Sequence, residues 1–446
     1  MQRLINVAGF ILMLSFTVNA QNEVNFKDVD SLTYKYYENL KWDSLIIIGK
    51  EGLKNDIDYF YLRMRLGIAY YEKQKYRKAA IHFKKAIKFN SIDDLAMEYL
   101  YFSYLFSGQS AEARSLTKKF SEELSQKLKT NVSRLIDEIY FEGGPSIGKN
   151  PVIGEEGNQH AMPPDILLRE QELTNDVRYF ALGLKHQLSK NIYIFHSVST
   201  IDIGKTQNLE FYEGNLLNDY RIFQRQYYFS GGLYLGNGFS LKPAAHFINV
   251  NYDKLIYDFD INNANKLFLK QENIIMNDFA LSLSLSKNVS VFNFDLNGVI
   301  ANINNSRQWQ LAFSTTVFPL NNLNLYFNGT ATVHNNDLNQ NLIWEPMAGG
   351  KLTPKLWLDG FITIGNLYNY TEKNAYLVYN ITDAIISRKG LSLKYVLNDY
   401  ITFSLHYQNL TKKNMFNVIN TNNKLVIEER NNFINHTIIG GIKWTL

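Results

Sequence analysis

The sequence predicts an α+β chain of two domains, an array of α-helical repeats followed by a transmembrane antiparallel β-barrel of about fourteen strands. Three observations predict this. Up to about residue 130 the apolar residues recur at helical spacing and at a longer period of 34 residues. Beyond residue 134 the period switches to two. The chain is also rich in rings, with 29 Tyr and 29 Phe among 446 residues, while no stretch after residue 20 is long and apolar enough for a spanning helix.

The first element, residues 1–20, reads as an export signal. Arg3 supplies the positive start, Leu4 to Val18 the apolar run, and Val18-Asn19-Ala20 the small-residue cleavage site. The chain has no cysteine, which removes disulfides, thiolate metal sites and a lipid-modified Cys after the signal. A net charge of +4 is small for this length and points away from nucleic acid. Mean hydropathy of −0.23 would class the rest as soluble. Barrels escape such scans because lipid-facing and lumen-facing residues alternate.

The second element, residues 21–130, repeats. Leu32, Leu66 and Leu100 are 34 residues apart, as are Tyr36, Tyr70 and Tyr104, and Leu45, Ala79 and Ala113. This is the period of tetratricopeptide repeats, which the middle copy resembles most through Leu66-Gly67, Tyr70, Ala79, Phe83 and Ala86. The third copy keeps Leu100, Tyr104, Gly108 and Ala113, the first is degenerate, and Ser110 to Lys129 would close the array. The resemblance implies a concave face for a periplasmic or outer-membrane protein partner, lined by Tyr61, Met64, Ile68, Tyr71, Leu95, Glu98, Phe102 and Phe106.

The third element, residues 131–446, alternates. Phe279, Leu281, Leu283 and Leu285 interleave with Asp278, Ala280, Ser282 and Ser284; Ile401, Phe403, Leu405 and Tyr407 interleave with Thr402, Ser404, His406 and Gln408. One apolar and one small or amide-bearing face are what lipid outside and water inside require. The expected strands are 135–147, 174–188, 191–204, 220–235, 239–257, 273–286, 288–302, 308–318, 322–334, 339–352, 355–369, 385–397, 399–411 and 433–446. Short turns between them alternate with longer connections at 148–173, 205–219, 258–272, 303–307, 335–338, 370–384 and 412–432, the pattern of tight periplasmic turns and longer outside loops. An even strand count puts both ends of the barrel on the short-turn side, and the repeats in the periplasm. Ile438, Gly440, Ile442, Trp444 and Leu446 alternate to the carboxyl terminus. This resembles the terminal signal read by the outer-membrane insertion machinery, with Leu446 where an aromatic is commonest. Trp357 and Trp444 suit an inner aromatic girdle.

Catalytic and metal chemistry finds little footing. Gly144-Pro145-Ser146-Ile147-Gly148 has the spacing of a nucleophile elbow but ends a strand instead of opening a helix. His186, His196, His406 and His436 fall on separate strands and read as hydrated lumen or rim residues. No motif specifies a metal or a cofactor. Charges within strands should face inward, which singles out Asp278, Asp295, Arg388 and Lys394 as lumenal.

A signal, a few tetratricopeptide repeats and a terminal barrel resemble the repeat-plus-barrel outer-membrane proteins of Gram-negative bacteria, and the Asn/Lys/Ile/Tyr-rich composition looks like the Bacteroidota. The resemblance implies a non-catalytic protein seated in outer-membrane lipid. The short array favours a docking subunit of an envelope assembly or secretion complex. The alternative is a conduit, like exopolysaccharide exporters whose periplasmic repeats guide the polymer; an outer-membrane hydrolase ranks third.

Overall fold

The computed structural model describes residues 25–130, 135–148, 163–211, 214–260, 266–336, 340–380, 384–421 and 424–446. The export signal expected at 1–20 lies outside them, as does most of the expected connection 148–173. The chain divides between Ser103 and Tyr104 into two compact units.

The first unit is helical. Helices α1 (Phe26–Glu38), α2 (Trp42–Lys54), α3 (Phe60–Glu72), α4 (Tyr76–Phe89) and the start of α5 (Asp94–Phe106) follow one another through short connections. Asn25 caps α1, its side chain accepting from the Asp28 amide at 2.9 Å. Val29, Leu45, Leu62, Leu66 and Ala69 form one buried cluster. Close approach is set by glycine: a Cβ on Gly67 would lie 2.5 Å from the Phe83 ring, and one on Gly52 2.7 Å from Val29. Asp30 ties α1 to α3 through the Tyr59 hydroxyl and the Arg65 guanidinium, both at 2.7 Å. These two partners hold its carboxyl below the ordinary range. The 34-residue period also appears in the backbone: Leu40, Gln74 and Gly108 all take left-handed conformations, with φ of 54°, 54° and 77°.

In the second unit, fourteen of the described strands close an antiparallel barrel. Around the ring from β1 (Glu138–Gly148) come β2 (Ile166–Ser189), β3 (Ile192–Phe211), β4 (Gly214–Gly236), β5 (Phe239–Asp260), β6 (Lys266–Val289), β7 (Phe292–Ile303), β8 (Ser306–Val317), β9 (Leu325–Asn336), β10 (Gln340–Thr353), β11 (Leu356–Ile364), β14 (Ile385–Val396), β15 (Ile401–Asn420) and β16 (Leu425–Thr445). β16 returns to β1, pairing Thr445 with Glu138. Both barrel ends therefore lie at the short-turn rim. Helices α6 (Ser110–Leu116) and α7 (Glu122–Lys127) belong to this unit. Asn288 at the end of β6 donates to Glu112 at 2.8 Å, and Lys190 in the β2–β3 turn donates to the Thr130 carbonyl at 2.6 Å.

The alternation does what lipid and water demand. On β6, Phe279, Leu281, Leu283 and Leu285 are exposed outward while Asp278, Ala280, Ser282 and Ser284 are buried inward. About 9–11 tilted residues cross a bilayer, yet β2 and β6 run for 24 residues each. The excess corrects the expected boundaries: segments 205–219, 258–272 and 412–432, read as loops, are largely strand. The outward face changes with it, from Phe279 to Asn277 and Asn273 on β6, and to an Arg221–Asp202 ion pair at 2.7 Å across β3 and β4. Opposite this tall wall, β7 to β11 and β14 stop after 9 to 14 residues.

Two further expectations are corrected. The β7–β8 turn, counted among the longer connections, is a tight one, with Asn304 and Asn305 both left-handed. Trp357 shares the inward face of β11 with Asp359 and Thr363 and lies under Lys351, so it does not join a lipid girdle. Trp444, with Trp309 and Trp344 on strands β8 and β10, does face outward.

Above the membrane band β15 changes neighbour. Up to Lys412 it pairs with β14; beyond the irregularity there, Phe416 to Asn420 pair with Gln171 to Ile166 of β2. The β15–β16 hairpin is thereby stitched to the tall wall.

Candidate functional site

The connection from β11 to β14 should have been an outside loop over 370–384 preceded by a strand to 369. Instead, β11 ends at Ile364 because Gly365 (φ 136°) turns the chain. A Cβ there would press on Ile343 and the Leu342 carbonyl. Residues 365–380 then fold into the barrel. They carry a small hairpin, β12 (Thr371–Glu372) and β13 (Leu377–Val378). Leu367, Tyr370, Glu372 and Ala375 are buried.

This plug is bonded to walls all round the ring. Asn369 accepts from Asn304 at 2.8 Å and donates to the Ile303 carbonyl at 3.2 Å. The Gln310 amide, turned to match, accepts from the Thr371 N–H at 2.9 Å and donates to its carbonyl at 3.0 Å. Tyr370 meets Thr332 at 3.2 Å, Tyr228 donates to the Asn374 carbonyl at 3.2 Å, and His246 donates through Nδ1 to the Ala375 carbonyl at 2.8 Å. The tip holds three successive left-handed residues, Lys373, Asn374 and Ala375. Such residues cost about 1–2 kcal/mol each without glycine, and the surrounding bonds offset that cost.

One charged latch fastens the plug. Arg388, inward on β14 and only 3% exposed, reaches Glu345 of β10 and Glu372 of the plug, both at 2.8 Å. It also donates to Tyr379 and stacks 4.6 Å over Phe361, while Thr363 donates to Glu345 at 2.7 Å. Removing one member of a buried set leaves uncompensated charge and costs about 3–5 kcal/mol. A second anchor surrounds buried Glu142 on β1, which accepts from Tyr179 at 2.7 Å, from Tyr376 of the plug at 3.2 Å, and from Tyr140.

The lumen thus holds a separate segment of chain bonded to the inward side chains of the wall. Similar folds are known. No family model matches the chain, and no curated protein matches its sequence. Among solved structures it is similar to a FadL homologue of Pseudomonas aeruginosa, with 7% identity, 69% of this chain and 90% of that one covered, and a TM-score of 0.45. It is similar in the same measure to the Pseudomonas putida toluene transporter TodX, with 7% identity, 69% and 89% covered, and a TM-score of 0.43. A structure titled MamA MSR-1 C2 is 24% identical over 24% of this chain and 60% of that chain, at a TM-score of 0.21. At these values the likeness concerns the outer-membrane-type barrel fold. The expectation of a non-catalytic docking subunit is corrected: the two TodX neighbours bear the titles of a transporter and a channel, the class of the alternative, a conduit.

The structure places the sequence-derived site residues as follows. Arg388 enters the latch. Lys394, on the same face but half-exposed, lies 3.4 Å from Asp359. Asp278 is buried and accepts from the Asn304 amide at 3.0 Å; Asp295 accepts from Ser284 at 2.6 Å. Ile442 and Trp444 are exposed outward on β16, and the Leu446 amide donates to the Asp137 carbonyl at 3.0 Å. Tyr61, Leu95 and Phe106 are exposed, Met64 and Ile68 buried, and Tyr71, Glu98 and Phe102 intermediate. Ser146 lies within β1 and bonds Thr437 at 2.7 Å. His406 faces inward and bonds Ser392, whereas His186, His196 and His436 share the outward faces of their strands. Among the described residues no group of three His, Asp or Glu is placed to hold a metal.

Sequence reasoning missed Glu345, Glu372, Glu142 and Tyr376. Glu345 had a local signal, because it alternates between outward Trp344 and Pro346. Glu372 and Tyr376 had none: they become lumenal only because Gly365 turns their segment inward.

Proposed function

We propose that the protein is an outer-membrane conduit whose passage is closed by the plug 365–380 and held shut by Arg388. The observation that carries this reading is the latch: a buried arginine shared between a wall carboxylate and a carboxylate on an inward-folded connection. A barrel needing only a filled interior gains nothing from a separate segment joined by charge, since packed apolar residues do as well. We further infer that the short-turn rim faces the periplasm of a Gram-negative cell, with a composition of the Bacteroidota type. The helical unit, tetratricopeptide-like by its 34-residue period, then stands on the periplasmic side.

Planar-bilayer reconstitution tests the reading. The wild-type protein should remain mostly closed, with rare openings. Arg388→Met should raise the open fraction, and replacing 367–380 by a short Gly/Ser linker should give a steady conductance. A plug-replaced protein that folds, judged by heat-modifiable gel mobility, yet conducts nothing would sink the conduit.

A further inference from the structure

The lipid-facing wall of β9, β10, β11, β14 and β15 carries a concave groove of about 770 Å³, within the ~300–1,000 Å³ usual for ligand sites. Its floor is low because small residues, Ala348 and Gly360, stand where neighbouring strands carry Leu or Phe; its sides are Phe327, Ile362 and Leu391. A groove that is apolar, open to lipid and deeper than its surroundings accepts an acyl chain.

Its upper end is polar. Lys389 points outward on β14, between Ile362 and Asn409 of the flanking strands. It is exposed and, among the described residues, has no acidic partner. Asn409, 8% exposed, keeps its side-chain oxygen without a hydrogen-bond partner. One step below, Tyr407 is bonded to His436 at 2.8 Å. On β14 and β15 these groups sit at the far edge of the apolar band: counting from the short turns, Leu391, Leu393 and Tyr395 precede Lys389 and Ser387 follows it, and Phe403, Leu405 and Tyr407 precede Asn409 and Thr411 follows it. An unpaired lysine is costly at the midplane and tolerated at the interface, where it can meet lipid phosphate.

We propose that this groove is a specific site for an anionic, phosphate-bearing lipid of the leaflet away from the short turns. Its acyl chain lies over Ala348 and Gly360, and its headgroup phosphate meets Lys389. The occupant is a lipid and not a free anion, because the cation stands at the end of an apolar trough. The site depends on the barrel and its membrane band alone, so it stands whether or not the lumen conducts.

Native mass spectrometry of the full chain in detergent, with phosphatidylglycerol or phosphatidylcholine of identical chains, tests the proposal. Phosphatidylglycerol should be retained about five-fold more tightly, the scale of one lysine near a lipid surface. Lys389→Gln should abolish that preference and leave phosphatidylcholine retention unchanged. Gly360→Leu, which fills the trough, should weaken both lipids. Competition by inorganic phosphate as effective as by the anionic lipid would overturn the proposal, as would equal retention of both lipids by the wild type. A Lys389→Gln protein that keeps the preference would overturn it too. The lysine is exposed, so heat-modifiable mobility should confirm that this variant folds.

Discussion

Gly67 and His82 show how much of the helical unit depends on single positions. Phe83 is fully buried, so the ring cannot retreat from a new methyl 2.5 Å away. Gly67→Ala should therefore destabilise the unit by about 1–3 kcal/mol, read as an earlier loss of the 222 nm signal on heating. His82 is stacked on Tyr70, and burial, with the Arg63 guanidinium beside it, pushes its pKa down to about 4. The unfolded chain thus binds a proton that the folded one refuses between about pH 6.5 and pH 4. Stability should be full above that window and fall by on the order of 3 kcal/mol as pH drops through it. His82→Gln should flatten the fall; an unchanged pH profile would refute the assignment. Gly67 was legible from sequence because its period matched a known repeat. His82 was not, since its neighbours Arg63 and Tyr70 come from another helix.

At the scale of elements, strands were legible and their lengths were not. Alternation identifies a strand only while one face is apolar. Once β2 to β6 rise out of lipid, the outward face gains Asn273, Asn277 and Arg221 while Ile203, Leu209, Ile222 and Val250 are buried on the other side, so the apolar-outside alternation fades and 205–219 and 258–272 resembled loops. The plug was hidden for a different reason. Nothing local in Asn369 or Glu372 marks them as lumenal; their partners Asn304 and Arg388 lie in the β7–β8 turn and on β14. The β15–β2 seam makes a separate prediction. Cysteines at Gln171 and Phe416, paired across that seam, should crosslink on mild oxidation. Failure to crosslink in folded protein would show that β15 keeps another neighbour.

For the whole molecule, the division at Ser103 predicts that removing residues 25–103 leaves a barrel that still inserts and shows heat-modifiable mobility. A truncated chain that only aggregates would show that the helical unit is required for folding. The pairing of β1 with β16 has another consequence, concerning order in time. The ring is shut by its first and last strands, so it cannot close until the chain is complete. The plug precedes β15 and β16 in sequence, and its anchors Gln310, Thr332 and Glu345 precede it. It can therefore settle while the wall is still an open sheet, before the final two strands seal it in. Its buried charges never need to thread through a finished pore, and a sheet already braced from within has less freedom to lose when its edges meet.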